Sequence, residues 1–374
     1  ALCAYNRRMD DMRRFFVFDA HCDTALRLTG DKPVDLGKRL ADGHVDLPRM
    51  AEGGVGAQVF ACWVDPDLNV DRWMPDTLEM ISAVREQAGK HSDRLAVALS
   101  GKEIASVNDS GRIAAVIGIE GGHVLGGSIG KLEEFHRAGV RCLTLTWMNS
   151  NEIADSSDGE TKWNGLSPAG RETIAAMNRL GIVIDLSHAS DRTFFDVIET
   201  SDVPVLVSHS SARAICDIPR NINDEMLRAL AENGGVACVN FFPAFLDKEC
   251  HTKVFAIWGR YREERSRLAA EYGGDPKRVD EEIGGAYIKK IKKIPMPGIE
   301  AAADHIEHIA SVAGVAHTGI GSDFDGIMVV PPGLEDVSKM QALAAVLAGR
   351  GWNDVDIASV MGENLLKLFS KVCG

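Results

Sequence analysis

The strongest constraint on the fold is an eightfold alternation of short apolar runs with stretches of helical periodicity. The runs are rich in valine and isoleucine, which is typical of strands in a parallel sheet that is buried on both faces. We expect strands at about residues 15–21, 55–62, 113–119, 140–146, 182–187, 204–208, 235–241 and 317–322. Eight strands that alternate with helices favour an α/β fold, the (β/α)8 TIM barrel.

A doubly wound open sheet is the alternative α/β architecture, and it binds its ligand at one switch point. The sequence contains no G-x-G-x-x-G motif after the first strand and no Walker A motif. The barrel is therefore the preferred prediction.

One intervening segment carries clear signals for both ends of a helix. Ser167 is a suitable N-cap, Pro168 suits the first helical position, and Gly181 lies just past the expected end. We therefore predict a helix between these two ends.

Residues 243–300 interrupt the alternation with a long, charged segment between the seventh and eighth predicted strands. It is too long for an ordinary connection, so we expect a helical excursion that serves as a functional flap or an interface. Because no repeat or composition shift marks a boundary, we expect residues 1–374 to form a single barrel domain.

The net charge of −13 opposes nucleic acid and an anionic membrane surface as partners, because phosphate binding needs clustered Lys and Arg. The eight cysteines form no Cys-x-x-Cys pair, and we expect free thiols, mostly buried, at Cys3, Cys22, Cys62, Cys142, Cys216, Cys238, Cys250 and Cys373. No apolar run is long enough to span a membrane, and neither terminus resembles a signal peptide or an anchor signal. A cytoplasmic location is the resulting expectation.

Polar side chains collect where the predicted strands end. His21 and Asp23 follow the first strand two residues apart, so both point to the same side. The third, fifth, sixth and eighth strands end, respectively, at Glu120, His188, His209 and Asp323. In a parallel barrel these ends open onto one face, where such barrels place their active sites.

Histidine nitrogens together with carboxylate oxygens suit zinc, and similar sites take Mn, Co or Ni. The set is too large for one tetrahedral ion, but it suits two ions that share one carboxylate and one solvent molecule. Taken singly, each residue is more often a surface or helix-cap residue, so the prediction depends on their common register.

The other histidines lack this register. We assign no role to His44, His91, His136, His251, His305 and His308. The roles of His123 and His317 stay open, and Asp325 is expected to be structural.

The motifs FDAHCDTALRL, IEGGH, IDLSHAS, VSHSSARAICDIPRNI and GSDFDG occur in this order along the chain. Together with five further matches they show that the chain resembles the membrane (renal) dipeptidases, zinc metallopeptidases related to the amidohydrolases. The resemblance implies that His21 and Asp23 bind one zinc, that His188 and His209 bind the other, and that Glu120 bridges them.

The resemblance also implies that Asp323 is the acid/base residue and that Arg220 binds the carboxylate of the substrate. The implied reaction is hydrolysis of a dipeptide, often with tolerance for a C-terminal D residue, and some members open β-lactam rings. Members are often homodimers. Trp147 replaces a family histidine that is thought to bind the oxyanion, so the indole, Asn149, Asn151 or zinc alone would have to serve.

Dipeptide hydrolysis is the first hypothesis. A metal-dependent hydrolase of another amide, either an N-acyl amino acid or a lactam, is the second, and Arg220 discriminates because a substrate without a carboxylate does not need it. A non-catalytic binding protein is the third hypothesis, and it is disfavoured because the full ligand set and Asp323 are present.

Overall fold

The computed structural model describes residues 15–271 and 279–374, so the predictions for Cys3 and the N-terminal segment lie outside the described residues. Nine parallel strands form one sheet. They are β1 (Val17–Cys22), β2 (Val55–Trp63), β3 (Leu95–Val97), β4 (Ile113–Glu120), β5 (Val140–Thr144), β6 (Val183–Asp185), β7 (Leu206–Ser210), β8 (Val236–Val239) and β9 (Thr318–Ile320).

The sheet curls into a nearly closed barrel of eight strands in the order β1-β2-β4-β5-β6-β7-β8-β9. The segment after β9 meets β1, where Cys22 and Phe324 form a parallel bridge. There the amide of Asp323 donates to the carbonyl of His21 at 3.1 Å, and the amide of Asp23 donates to Phe324 at 2.9 Å. The prediction of a TIM barrel is confirmed.

The ninth strand, β3, was not predicted. Leu95 of β3 pairs with Ile113 at the start of β4, whereas β5 pairs with β4 only from Ile117 onwards. The short strand therefore occupies the part of the β4 edge that β5 leaves unpaired. Three residues are too few for a periodic pattern to reveal a strand.

Helices fill the connections between strands. The α-helices are Leu47–Glu52, Val70–Lys90, Gly101–Asp109, Ile129–Ala138, Pro168–Leu180, Asp191–Thr200, Asp224–Asn233, Pro243–Leu246, Lys248–Glu271, Gly285–Ile291, Ile299–Ala313, Met340–Gly349, Asp354–Ala358 and Asn364–Cys373. Short 3-10 turns lie at Thr24–Leu28, Gly122–Leu125, Val315–His317 and Val337–Lys339, and π turns lie at Asp280–Gly284 and Ser359–Glu363.

The helix Pro168–Leu180 has the ends that its sequence predicts. The Ser167 hydroxyl accepts a hydrogen bond from the amide of Gly170 at 2.9 Å, which caps the first turn. Gly181 ends the helix in the left-handed region with φ 68°.

Alternate residues of each strand face the inside of the barrel, and their character changes along the strand. On β4, Ala114 and Val116 belong to the apolar cluster that includes Phe369 of the C-terminal helix. Glu120 has the same parity, so it faces the same interior at the carboxyl end of the strand. The interior is therefore apolar at one end and polar at the other.

The predicted helical excursion between β8 and the helix Ile299–Ala313 is confirmed, and Lys248–Glu271 is its longest helix. The guanidinium of Arg265 on this helix lies 3.2 Å from the carboxylate of Asp65 and 3.3 Å from that of Asp67. Both aspartates lie in the loop that follows β2. A third ion pair at 2.8 Å joins Arg265 to Asp280 within the excursion. These pairs hold the excursion beside the carboxyl ends of the strands.

The seven described cysteines are free thiols, six of them buried, as expected for this part of the chain. No helix within residues 15–271 and 279–374 combines the length and the apolarity needed to cross a membrane.

Candidate active site

Three of the predicted site residues meet at the end of β1. His21 Nε2 lies 3.5 Å from Asp23 Oδ2 and 3.7 Å from Glu120 Oε2. All three side chains are buried. A nitrogen and two carboxylate oxygens therefore point at one small volume.

Two further histidines approach the other carboxylate oxygen of Glu120, and the ring of His209 also packs against that of His21, with centroids 3.8 Å apart. His188 Nε2 lies 3.1 Å and His209 Nε2 lies 3.3 Å from Glu120 Oε1. The two imidazole nitrogens are 3.0 Å apart. Glu120 therefore presents one oxygen to His21 and the other to the pair formed by His188 and His209.

Asp323 completes the group from the loop after β9, with its carboxylate close to the ring nitrogens of His21 and His209. Asn240 Nδ2 donates a hydrogen bond of 2.9 Å to Asp323 Oδ2. Burial and the neighbouring charge of Asp23 raise the pKa of Asp323 to about 7. The buried carboxyl group therefore holds a proton more readily than a free aspartate does.

The backbone is strained at two of these positions. His188 and Asp323 have φ values of 67° and 62°, a left-handed conformation that non-glycine residues rarely adopt. Such strain persists only where the surroundings enforce it, and it concentrates at functional sites.

A buried hydrogen-bond chain orients His209. Its Nδ1 lies 2.7 Å from Ser208 Oγ, and that hydroxyl donates to Asp185 Oδ2 at 2.6 Å. Since the hydroxyl has one proton, it accepts from the Nδ1–H of His209. The Nε2 lone pair is then left free toward Glu120, which is the arrangement that metal-binding histidines use.

Sequence reasoning missed three polar residues behind the site: Asp19, Asp185 and Asn240. Asp19 accepts hydrogen bonds from the amide and the hydroxyl of Ser322, at 2.8 and 2.6 Å. The available signals were a carboxylate inside the apolar runs FFVFDAH and IVIDLS, and an asparagine at the end of GVACVNF.

The cluster suits divalent cations. Burial lowers the pKa of His188 and His209 well below the ordinary value, so both rings are neutral and offer lone pairs. His21 Nε2 is buried without a hydrogen-bond partner. Burial alone would lower its pKa, but Glu120 and Asp23 raise the pKa of His21 to about 10, which indicates a local excess of negative charge. The neutral imidazoles of His188 and His209, the neighbouring carboxylates and the excess of negative charge around His21 together fit zinc or a similar ion.

A cavity of about 330 Å³ opens above the cluster, and Arg220 and Trp147 both line it. Arg220 is buried; its Nη1 donates to Ser210 Oγ at 2.6 Å and its Nη2 donates to the carbonyl of His209 at 2.8 Å. Its Nε has no hydrogen-bond partner. The guanidinium is thus fixed beside the cluster of candidate metal ligands with donor capacity remaining.

Trp147 packs against Trp63, with ring centroids 4.8 Å apart, and both rings border the cavity. The amide of Asn151 is already engaged by the backbone, since its Nδ2 donates to Leu145 at 2.9 Å and its Oδ1 accepts from Ile153 at 2.9 Å. Asn149 does not line the cavity. Of the three side chains considered for the oxyanion, the indole alone borders the cavity.

The remaining candidates have structural contacts. His123 is buried and lies 3.0 Å from the carbonyl of Val64, and His317 lies 2.8 Å from the carbonyl of Gly235. Asp325 accepts a hydrogen bond of 2.8 Å from Thr24 Oγ1 and also borders the cavity. His251, to which we assign no role from the sequence, is part of the cavity wall.

Comparison with known proteins agrees with this geometry. The profile of the membrane dipeptidases (peptidase family M19) matches residues 6–373. Dipeptidase verJ of Clonostachys rogersoniana is 32% identical over 95% of this chain and 84% of its own length. The probable dipeptidase PvdM of Pseudomonas aeruginosa has the same fold, with a TM-score of 0.83 and 24% identity over 99% of this chain and 98% of its own.

A metallo peptidase of Rhodobacter sphaeroides was solved with a phosphinate mimic of the dipeptide L-Ala-D-Ala. It superposes with a TM-score of 0.79 and 25% identity, over 96% of this chain and 100% of its own. The match of the profile over nearly the whole sequence decides the assignment. The chain belongs to the membrane dipeptidase family, peptidase family M19, and is a metallopeptidase.

Proposed function

We propose that this enzyme is a binuclear zinc dipeptidase that cleaves dipeptides with a free C-terminal carboxylate, including those with a C-terminal D residue. The observation that carries the proposal is the position of Glu120, with one oxygen toward His21 and the other toward His188 and His209. Asp23 would complete the ligands of the first ion.

When bound, the two ions would supply a hydroxide nucleophile at neutral pH and polarise the peptide carbonyl. Asp323 accepts the proton of the attacking water and returns it to the leaving amine, and Asn240 holds the carboxylate in place. Arg220 offers its planar guanidinium to the substrate carboxylate. The Trp147 indole contributes its single N–H to the oxyanion.

The Rhodobacter structure supports the choice of substrate, because its ligand mimics a dipeptide with a C-terminal D residue. A single domain over residues 1–374, a homodimer and a cytoplasmic location remain part of the proposal.

The first test is a metal count on the purified protein, combined with turnover of a library of L-Xaa-L-Xaa and L-Xaa-D-Xaa dipeptides. We expect about two zinc equivalents per chain and cleavage that a chelator abolishes. Bound metal without any dipeptide cleavage would redirect attention to the hydrolysis of N-acyl amino acids or lactams. Failure to bind zinc would contradict the assignment of His21 and Asp23.

Arg220→Ala separates recognition of the carboxylate from structural support. A lost charge-assisted contact should raise KM for free dipeptides roughly tenfold to a hundredfold, while C-terminally amidated dipeptides should be affected much less. Arg171→Ala is the control, because Arg171 is half exposed and lies 3.7 Å from Asp196. An unchanged KM for free dipeptides would return Arg220 to a structural role.

A further inference from the structure

One side of the cavity is a stripe of side chains from the excursion helix Lys248–Glu271. His251, Val254, Phe255 and Trp258 line the cavity, and their spacing of three and four residues places them on one face of the helix. This face therefore forms a continuous wall beside the metal-binding cluster.

The wall extends from this helix through further aromatic rings to Arg220. The guanidinium carbon lies 5.3 Å from the centre of the Phe245 ring. The Phe245 ring is 5.0 Å from the ring of Phe242 and 6.4 Å from that of Phe255, and all three rings line the cavity. A group that binds Arg220 is thus immediately next to an aromatic surface.

This part of the wall carries little charge. Of the described cavity-lining residues from Ile218 to Trp258, Arg220 is the charged one. His251 stacks on Phe255 with centroids 4.2 Å apart, and burial lowers its pKa, so the ring is neutral at physiological pH. The wall itself therefore offers apolar surface and no second charged partner, while Asp158, whose charge acts on both Arg220 and His251, lies elsewhere in the cavity lining.

We propose that the enzyme selects dipeptides whose C-terminal residue has a large apolar or aromatic side chain. This inference rests on the proposed function, because it takes Arg220 as the site of the substrate carboxylate. The carboxylate and the side chain of that residue share one Cα, so binding at Arg220 brings the side chain against Phe245 and Phe255. C-terminal Asp or Glu would bury a negative charge without a further cationic partner there.

The size of the effect follows from burial. Removing a leucine or phenylalanine side chain from water should raise kcat/KM roughly tenfold to a hundredfold over glycine. A C-terminal glutamate should lower kcat/KM below that of alanine.

The test uses the zinc-loaded enzyme and L-Ala-Xaa dipeptides with Xaa as Gly, Ala, Leu, Phe or Glu, each chiral residue in both L and D forms. The reversed series, Xaa-L-Ala, shows whether the enzyme selects the C-terminal or the N-terminal side chain. We expect kcat/KM to rise from Gly to Phe in the first series more steeply than in the second. A flat first series with a steep second series would overturn the inference while leaving the dipeptidase function intact. Cleavage of no dipeptide would overturn both.

Phe255→Ala should lower the ratio of kcat/KM for L-Ala-Phe over L-Ala-Ala at least fivefold. Phe255→Leu should preserve most of that ratio, which distinguishes lost contact from a damaged fold. Ile257→Ala is the matched control, since Ile257 is on the same helix and does not line the cavity. An unchanged ratio in a folded Phe255→Ala enzyme would contradict the proposal.

Discussion

At the scale of single residues, Asp323 occupies an unusual position because three constraints act on it together. Its backbone is left-handed, its carboxylate accepts from Asn240, and its neighbours include the candidate metal ligands His21 and Asp23. A group so fixed can move a proton over a short distance without a change of rotamer. This is what general acid–base catalysis requires.

Asp323→Asn should retain both metal ions and lose most turnover. The amide keeps the size of the side chain but cannot accept the proton, so kcat should fall roughly 10²–10⁴-fold. The measurements are kcat and the zinc content of the purified variant. Asp325→Asn is the control, since that carboxylate is engaged by Thr24. Normal turnover in Asp323→Asn would remove Asp323 from the mechanism.

Residues at strand ends were predictable because a parallel barrel brings such ends together. Their partners Asp185 and Asp19 were not identified as part of the site. Each lies within or at the end of an apolar strand, and its role depends on contacts with another part of the barrel: Ser208 on β7 for Asp185, and Ser322 in the loop after β9 for Asp19. The pairing of strands must be known before such contacts can be inferred.

At the scale of elements, His305 joins three parts of the chain. It lies in the helix Ile299–Ala313, its Nδ1 accepts from the amide of Ala212 at 2.9 Å, and its Nε2 donates to the carbonyl of Leu246 at 3.0 Å. Both ring nitrogens are used by a neutral imidazole. Burial lowers its pKa to about 4.

His305 should make stability depend on pH between about 6.5 and 4. Below the ordinary pKa of histidine, His305 is protonated in the unfolded chain but stays neutral in the folded chain. The free energy of unfolding therefore falls as the pH decreases. The lowered pKa of His305 corresponds to about 3 kcal/mol of unfolding free energy lost by pH 4. Urea unfolding of the wild type and of His305→Gln at pH 7.5 and pH 5 measures this change in the free energy of unfolding.

The wild type should be the more stable protein at pH 7.5, and its advantage over His305→Gln should shrink by about 2 kcal/mol at pH 5. His308→Gln, the same change at a partly exposed position on the same helix, should not reproduce this narrowing. Parallel pH profiles for wild type and His305→Gln would contradict the assignment.

The eight barrel strands and the helix Pro168–Leu180 were predictable, because periodicity and capping are local properties of the sequence. The path of the excursion was not. It is fixed by ion pairs such as Arg265 with Asp65, which join residues about 200 positions apart. Charges at helical spacing look the same whether they face solvent or a distant loop.

At the scale of the whole molecule, the cluster of candidate metal ligands joins distant parts of the barrel. His21, Glu120 and His209 come from three strands, and their carboxylate and imidazole groups are buried together. Divalent cations would neutralise the carboxylates and link the strands. Binding of metal should therefore stabilise the folded barrel as well as support catalysis.

Removal of metal by a chelator should lower the melting temperature by several degrees. An ion present at 1,000 times its dissociation constant stabilises the folded state by about 4 kcal/mol. Thermal unfolding with and without chelator, followed by addition of zinc, measures the change and its reversal. Glu120→Ala, which removes the shared carboxylate, should respond much less to the chelator. Identical melting temperatures for the wild type in both conditions would contradict the prediction.

The cluster of polar residues and the aromatic wall of the cavity come from different parts of the chain, and this has an evolutionary consequence. The candidate metal ligands are scattered from His21 to His209, so altering that set demands coordinated change in several strands. The aromatic wall beside Arg220 comes from one continuous stretch, from Phe242 to Trp258. After a gene duplication, exchange of this stretch alone would change the preference for substrate side chains and leave the hydrolytic site unaltered.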